Sequence, residues 1–281
     1  MSLDPSKVGY VTPAYTFDYD WKTVVLYALG IGAKQSELSY LYEAHGPEVY
    51  PTFGVVPTYA VLTDLLSAAG VNLKSVVHSG QSIQLHRPIP AEGSLRTQGT
   101  LTGIYDLKRF AQLSFSTSTT LHGEPLFETE WTLLALDAGG FDGPRPPKGV
   151  VVRAPTDGEP DLVLDALTTP EQAALYRLSG DYNPLHIDPE VAKSVGFDQG
   201  PILHGLCTFG FIGRAVVQHY CAGRAAGLRS LSAQFRKPIW PGEMLKIRGF
   251  SLEAGRVALE AFAADRKEPV VTNCWAELAN L

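Results

Sequence analysis

Between residues 75 and 136 apolar and polar positions alternate with a period of two, in four runs: Ser75 to Leu85, Gly93 to Tyr105, Phe110 to Leu121 and Glu124 to Leu136. Pro, Gly and charged turns separate them. That period belongs to strands with one buried face, so the runs predict consecutive antiparallel strands. The chain before them reads differently. Apolar residues dominate Val24 to Leu29 between Asp20 and Gly30, which predicts a short helix with a glycine stop. Lys34 to Tyr50 reads as loop with a little helix, and an irregular stretch from Pro51 leads to a helix over Pro57 to Ala69, ended by Gly70.

The order recurs after a Gly/Pro-dense tract from Asp137 to Lys148, which reads as a linker. Val150 to Leu167 predicts a strand and turn. Thr169-Pro170-Glu171-Gln172 has the form of a capping box with proline at the first helical position, and Gly180 ends that helix. Asp188-Pro189-Glu190 starts another short helix, closed at Gly196. His204 to Val217 is apolar nearly all round and predicts a buried helix, too short and too interrupted by Arg214 to span a membrane. Strands follow near Leu228 to Phe235, Met244 to Leu252, Arg256 to Ala264 and Pro269 to Leu278. A helix followed by antiparallel strands, twice over, predicts an α+β fold in two repeats, 1–138 and 151–281, joined by a linker over 139–150.

The repeats also match residue by residue. Gln84-Leu85-His86-Arg87-Pro88-Ile89-Pro90 aligns with Gln234-Phe235-Arg236-Lys237-Pro238-Ile239-Trp240, and Leu26 to Leu29 with Leu175 to Leu178. In this register Asp181 faces Gly32 and Asn183 faces Lys34. The first repeat therefore lacks whatever chemistry the second carries.

That chemistry centres on Leu178-Ser179-Gly180-Asp181-Tyr182-Asn183-Pro184-Leu185-His186, a rigid loop that aims a carboxylate, an amide and an imidazole into a small volume. These groups suit general acid–base work. Asx-Pro turns with purely local hydrogen bonds are the structural alternative for Asp181 and Asn183. Gly205 opens the buried helix, where unpaired N–H groups and the positive helix end suit a developing oxyanion; close helix packing is its alternative and explains Gly210 and Gly213. Asp181, His186 and His204 are not presented on one helix or hairpin face, so no metal site is expected.

Ser179 to Pro189, followed by Pro201-Ile202-Leu203-His204-Gly205, resembles the signature of the MaoC-like, or type 2, enoyl-CoA hydratases. The similarity is greatest to the two-repeat hydratase-2 domain of the peroxisomal multifunctional enzyme type 2 and its bacterial relatives. It implies a double hot-dog fold, each repeat curling a sheet around a helix, with the first repeat's helix shortened to leave an acyl tunnel. It implies hydration of trans-2-enoyl-CoA to the (3R)-hydroxyacyl-CoA, on medium to long chains and without a cofactor. Asp181 and His186 would be the acid–base pair, Asn183 would help hold the site, and the Gly205 N–H would bind the oxyanion. Substrate contacts are expected from His78, Ser79, Lys108 and Phe235, and within the motif from Tyr182, Pro184 and Leu185. Alternatives are a dehydratase of carrier-bound or unusual acyl thioesters and a silent acyl-CoA-binding module.

Composition narrows the partners. With 45% hydrophobic and 19% charged residues the chain is of globular type, and a net charge of −6 without a Lys/Arg cluster argues against nucleic acid. An acyl-CoA thioester remains compatible, since it needs only a few local cations. Cys207, Cys221 and Cys274 lack paired spacing and read as reduced thiols. The N-terminus lacks a signal-peptide layout, so a cytoplasmic location is expected; Ala279-Asn280-Leu281 is only faintly like a peroxisomal signal, which leaves a peroxisome open. Exposed sheet edges make a homodimer the expected assembly.

Overall fold

A computed structural model describes residues 3–279; Asn280 and Leu281, part of the tripeptide weighed as a targeting signal, lie outside them. The first half runs β1 (Tyr15–Tyr19), α1 (Trp21–Gly30), α2 (Leu38–Leu41), α3 (Tyr59–Ala69), then β2 (Val76–Leu85), β3 (Gly93–Asp106), β4 (Ala111–Leu121) and β5 (Glu124–Ala135). The second runs β6 (Leu162–Leu167), α4 (Gln172–Tyr176), α5 (Pro189–Ser194), α6 (Gly205–Tyr220), then β7 (Leu228–Phe235), β8 (Met244–Ser251), β9 (Arg256–Ala263) and β10 (Glu268–Leu278). The strands anticipated from alternation are all present. β1 was not anticipated, although Tyr15-Thr16-Phe17-Asp18-Tyr19 alternates and pairs with β3.

All ten strands form one antiparallel sheet in the order β1-β3-β4-β5-β2-β7-β10-β9-β8-β6. Each half traces the same path, and β2 pairs with β7 at the middle. In that ladder Ser82 faces Ser232, its own counterpart in the repeat, so the halves are related by a pseudo-twofold axis through this pair.

The central helices follow from composition. Every residue of α6 from Leu206 to Val217 is buried. A Cβ on Gly210 would come within 2.2 Å of Ile31, and one on Gly213 within 2.5 Å of Thr52, so the helix packs against the other half where only glycine fits. The counterpart in the first half departs from expectation. Only Tyr59–Ala69 is α-helical, but Pro51–Thr58 continues it as 3₁₀ turns whose residues are all buried. The layer is thinned in pitch and not vacated, because Phe53 fills it against Tyr19 and Tyr27. This run, Pro51–Ala69, is long and apolar enough by composition to cross a membrane, yet most of it is buried in the fold.

Two other local expectations change. Proline does not open α4: its N-cap is Glu171, without a side-chain cap bond, while Gln172 reaches back to the Thr169 N–H at 3.4 Å. Gln172 serves a longer-range purpose, donating to the Gly30 carbonyl in the other half at 2.7 Å. In addition, 150–161 carries no strand, so coil extends from β5 to β6. Asp106 anchors its start by accepting the N–H groups of Lys108, Gly140 and Asp142.

The strongest polar tie between the halves is buried. Arg214 of α6 donates through Nε to both Glu37 oxygens, at 3.1 and 2.8 Å, and its terminal nitrogen also donates to Glu37. Tyr50 donates to the same carboxylate, as does the Lys34 N–H at 2.9 Å. Burial would raise the Glu37 carboxyl, but the Arg214 and Tyr50 hydrogen bonds outweigh it and hold the group below its ordinary value. Removing one partner strands the other charge, a loss of about 3–5 kcal/mol for buried pairs. Glu37→Gln is therefore expected to lower the unfolding free energy from urea titration by that order, with a lower midpoint, and Glu37→Met with Arg214→Met to recover most of it. Equal midpoints for Glu37→Gln and the native chain would refute the assignment.

Candidate active site

The motif loop is shaped by its backbone. Gly180 ends the turn Arg177–Ser179 at φ +118°, and a Cβ there would meet the Tyr59 ring at 3.2 Å. Asn183 then caps the short turn Pro184–His186, its Oδ1 accepting the Leu185 N–H at 3.1 Å. The Asn183 side chain thus does local work, and it is the Asn183 backbone N–H that reaches Asp181, donating to Oδ1 at 3.2 Å. Asp188 caps α5 as its position implied, accepting from Glu190 and Val191.

His186 turns inward. Its Nδ1 lies 2.8 Å from the Ile202 carbonyl, which can only accept, so Nδ1 carries the proton and Nε2 keeps a lone pair. His204 is oriented in the same manner, Nε2–H donating to the Asp181 carbonyl at 3.2 Å. The two imidazoles stack at 3.7 Å, and donor or acceptor atoms of Asp181, His186 and His204 lie within 4.8 Å of one another. Burial lowers the His186 pKa, with the nearby Asp181 charge opposing it in part. Burial, then the neighbouring His186, pushes His204 down to about 2. Both rings are neutral at physiological pH. Bonds of about 2.1 Å to one ion allow ligand atoms at most about 4.2 Å apart. With one nitrogen of each ring already engaged and the rings stacked, the group suits a water better than a metal.

Gly205 begins α6 immediately after His204, whose side chain makes no cap bond, so no side chain at that position takes up the first-turn donors. The face opposite Gly205 is aromatic. Its missing Cβ lies 3.5 Å from Phe235, and Phe235 meets His78 edge-on at 5.0 Å. His78 stacks on Trp131 at 4.8 Å, and Trp131 meets Tyr59 edge-on at 6.0 Å. Tyr59 closes the chain against Gly180. Burial pushes His78 down to about 4, so it is a neutral wall residue with Nε2 at the Gly80 carbonyl.

The structure therefore brings Asp181 and His186 together, and groups Gly205, Phe235 and His78. Ser79 sits at a bulge in β2 and donates to the Thr132 carbonyl. Lys108 is exposed in the β3–β4 turn, at the same end of the sheet as His78 and two strands away. Tyr182 is exposed beneath the Arg177 guanidinium, Pro184 is exposed and Leu185 is half-buried, so these line the outside of the loop. Sequence reasoning missed Tyr59, Trp131 and Ile202. The first two lie in the other half, and Ile202 acts through its carbonyl, which leaves no trace in residue type. A cleft of about 380 Å³ between Pro170, Ala173, Pro201, Trp240 and Pro241 reaches His186 from outside.

Comparison with known proteins agrees with this architecture. Residues 17–136 match the MFE-2 hydratase 2 N-terminal domain, and residues 151–263 match the MaoC like domain. The 3-hydroxyacyl-thioester dehydratase Y of Mycobacterium tuberculosis is 36% identical over 274 residues, covering 94% of this chain and 93% of that protein. The peroxisomal enoyl-CoA hydratase 2 of Arabidopsis thaliana is 36% identical over 286 residues, covering 94% and 92%. The crystal structure of a MaoC-like dehydratase from Phytophthora capsici superposes with a TM-score of 0.88 at 28% identity, over 99% of this chain and 98% of that one. Matched in both halves and along nearly its whole length, the chain belongs to the MaoC-like, type 2 enoyl-CoA hydratase family in its double hot-dog form.

Proposed function

We propose that the chain is an R-specific enoyl-CoA hydratase, adding water to trans-2-enoyl-CoA to give (3R)-3-hydroxyacyl-CoA and catalysing the reverse dehydration. The observation that carries this reading is the His186 Nε2 lone pair, freed by the Nδ1 bond to Ile202, on a ring with a nitrogen within 4.8 Å of an Asp181 carboxylate oxygen. One water held between them is poised to deliver its oxygen to C3 of the substrate and a proton to C2, on one face of the double bond. Asp181 and His186 act jointly as acid and base. As the C3–O bond forms, negative charge collects on the thioester oxygen, where the Gly205 N–H and the start of α6 stabilise it. One oxyanion donor is worth roughly 3 to 4 kcal/mol in acyl-transfer enzymes, where a similar charge develops.

The first half supplies scaffold and wall. Tyr59, Trp131 and His78, with Phe235, are suited to hold the acyl group against Gly205, and medium to long chains are the preferred substrates. Ser79, Lys108, Tyr182, Pro184 and Leu185 contact the thioester or its CoA portion. The relatives include a peroxisomal and a mycobacterial protein, and either a peroxisomal or a cytoplasmic setting fits the reaction.

Loss of enoyl-thioester absorbance with acyl-CoAs from C4 to C16, followed by chiral analysis of the product, tests the reading. Asp181→Asn and His186→Ala are each expected to fold and to lose at least about 10²-fold in kcat, the lower range for an acid–base group. Unchanged rates in both, or an (S) product, would refute it. The pH profile supplies a second check. Because burial lowers the His186 pKa, its neutral form persists below the ordinary histidine value of about 6.5. The acid limb of kcat/KM is therefore expected below pH 6.5, and a limb above that value would contradict the neutral resting imidazole.

A further inference from the structure

We infer that His204 is a positioning residue for this reaction, holding Asp181, His186 and the start of α6 in one register; the inference rests on the hydratase reading and adds a residue to it. Its side chain meets two of these parts and its backbone carries the third. Nε2–H donates to the Asp181 carbonyl at 3.2 Å, which fixes the backbone from which the carboxylate projects. The ring stacks on His186 at 3.7 Å and meets Tyr176 in a tilted contact at 4.9 Å, so two rings restrict it. As N-cap of α6 it immediately precedes Gly205, and its carbonyl accepts the Cys207 and Thr208 N–H groups at 3.1 and 3.2 Å. Displacing this ring would move acid, base and oxyanion donor relative to one another.

Packing alone does not account for a histidine here. The side chain is 1% exposed, and its Nδ1 is buried with no partner among the described residues. A phenyl ring would fill the space and stack equally well without burying an unpaired nitrogen, which is a destabilising feature. What phenylalanine cannot supply is the Nε2–H donor. Among the described residues that donor's acceptor is the Asp181 carbonyl. His204 touches neither the water nor the substrate in this scheme; it acts through the two groups that do.

The experiment separates ring from donor. His204→Phe keeps the stack and removes the N–H, whereas His204→Gln loses the ring and can return an amide N–H near the Nε2 position. Misplacement of reacting groups by about 1 Å costs on the order of 10²-fold. We expect His204→Phe to lower kcat by about that factor with KM within about threefold of native, and His204→Gln to recover at least about tenfold of the loss. Thermal melting of both variants shows that each is folded. A native kcat in His204→Phe, or equal losses in the two variants, would overturn the inference. NMR of ring-labelled His186 provides a readout that needs no turnover. The Asp181 charge raises the His186 pKa, so a displaced Asp181 lowers it further: His204→Phe is expected to shift the titration downward, and His204→Gln to leave it near native. If the native chain shows no hydratase activity, the hydratase reading fails alone, and this titration still decides whether His204 positions Asp181.

Discussion

The β2–β7 ladder is the constraint on which the remainder of the molecule depends. By pairing Ser82 with Ser232 it joins two five-stranded sheets into one, and α6 packs on the Pro51–Thr58 turns of the first half, where Gly213 meets Thr52. Each half then lays its loop on the other half's helix. Gly180 of the second half presses on Tyr59 of the first, and Gly32 of the first presses on Phe211 of the second, where a Cβ would come within 2.5 Å. A bond from Gln172 and one from Cys207, both to the Gly30 carbonyl, fasten the same contact. The candidate site is thus a product of the joint between the halves, although the groups proposed to react come from one of them.

The pseudo-symmetry makes the difference between the two loops informative. In the register that sets Asp181 against Gly32, His186 stands against Glu37. Glu37 is sealed by Arg214, Tyr50 and Lys34, so its charge is spent on holding the halves together. His186 is buried to a similar degree but neutral, with one nitrogen uncommitted and a cleft leading to it. Burial favours different solutions at the two positions. A carboxylate in low dielectric needs a cation, and once paired it is inert; an imidazole in the same surroundings discards its proton and keeps a usable lone pair.

Neutrality also explains how three histidines coexist near the joint. A second charge beside a charged His186 would be opposed at short range, whereas burial holds His204 at about 2 and His78 at about 4, leaving Asp181 as the charge that acts on His186. The aromatic chain from Tyr59 through Trp131, His78 and Phe235 walls that environment, with Gly180 against one end and Gly205 against the other. A site with these electrostatics favours charge developing on a bound oxygen over charge resting on the protein.

Much of this was legible along the chain. Alternation located eight of the ten strands to within about two residues, since half-buried strands repeat every second position, while β6 was anticipated only within the longer segment Val150 to Leu167. The duplicated Gln-Leu-His-Arg-Pro and Gln-Phe-Arg-Lys-Pro segments announced the two halves, and Gly-Asp-Tyr-Asn-Pro-Leu-His announced the loop that brings Asp181 and His186 together. Glycines at 210 and 213 marked close packing because a missing side chain is itself a signal. Other features depend on which atoms meet across the pseudo-twofold axis, and local pattern carries no information about that. The 3₁₀ filling of Pro51–Thr58, the Tyr59 and Trp131 wall, and the Glu37–Arg214 tie arise only when the halves close. The roles of the two histidines depend instead on contacts within the second half: each ring's tautomer is set by a carbonyl distant in sequence, Ile202 for one and Asp181 for the other, and every residue type has a carbonyl.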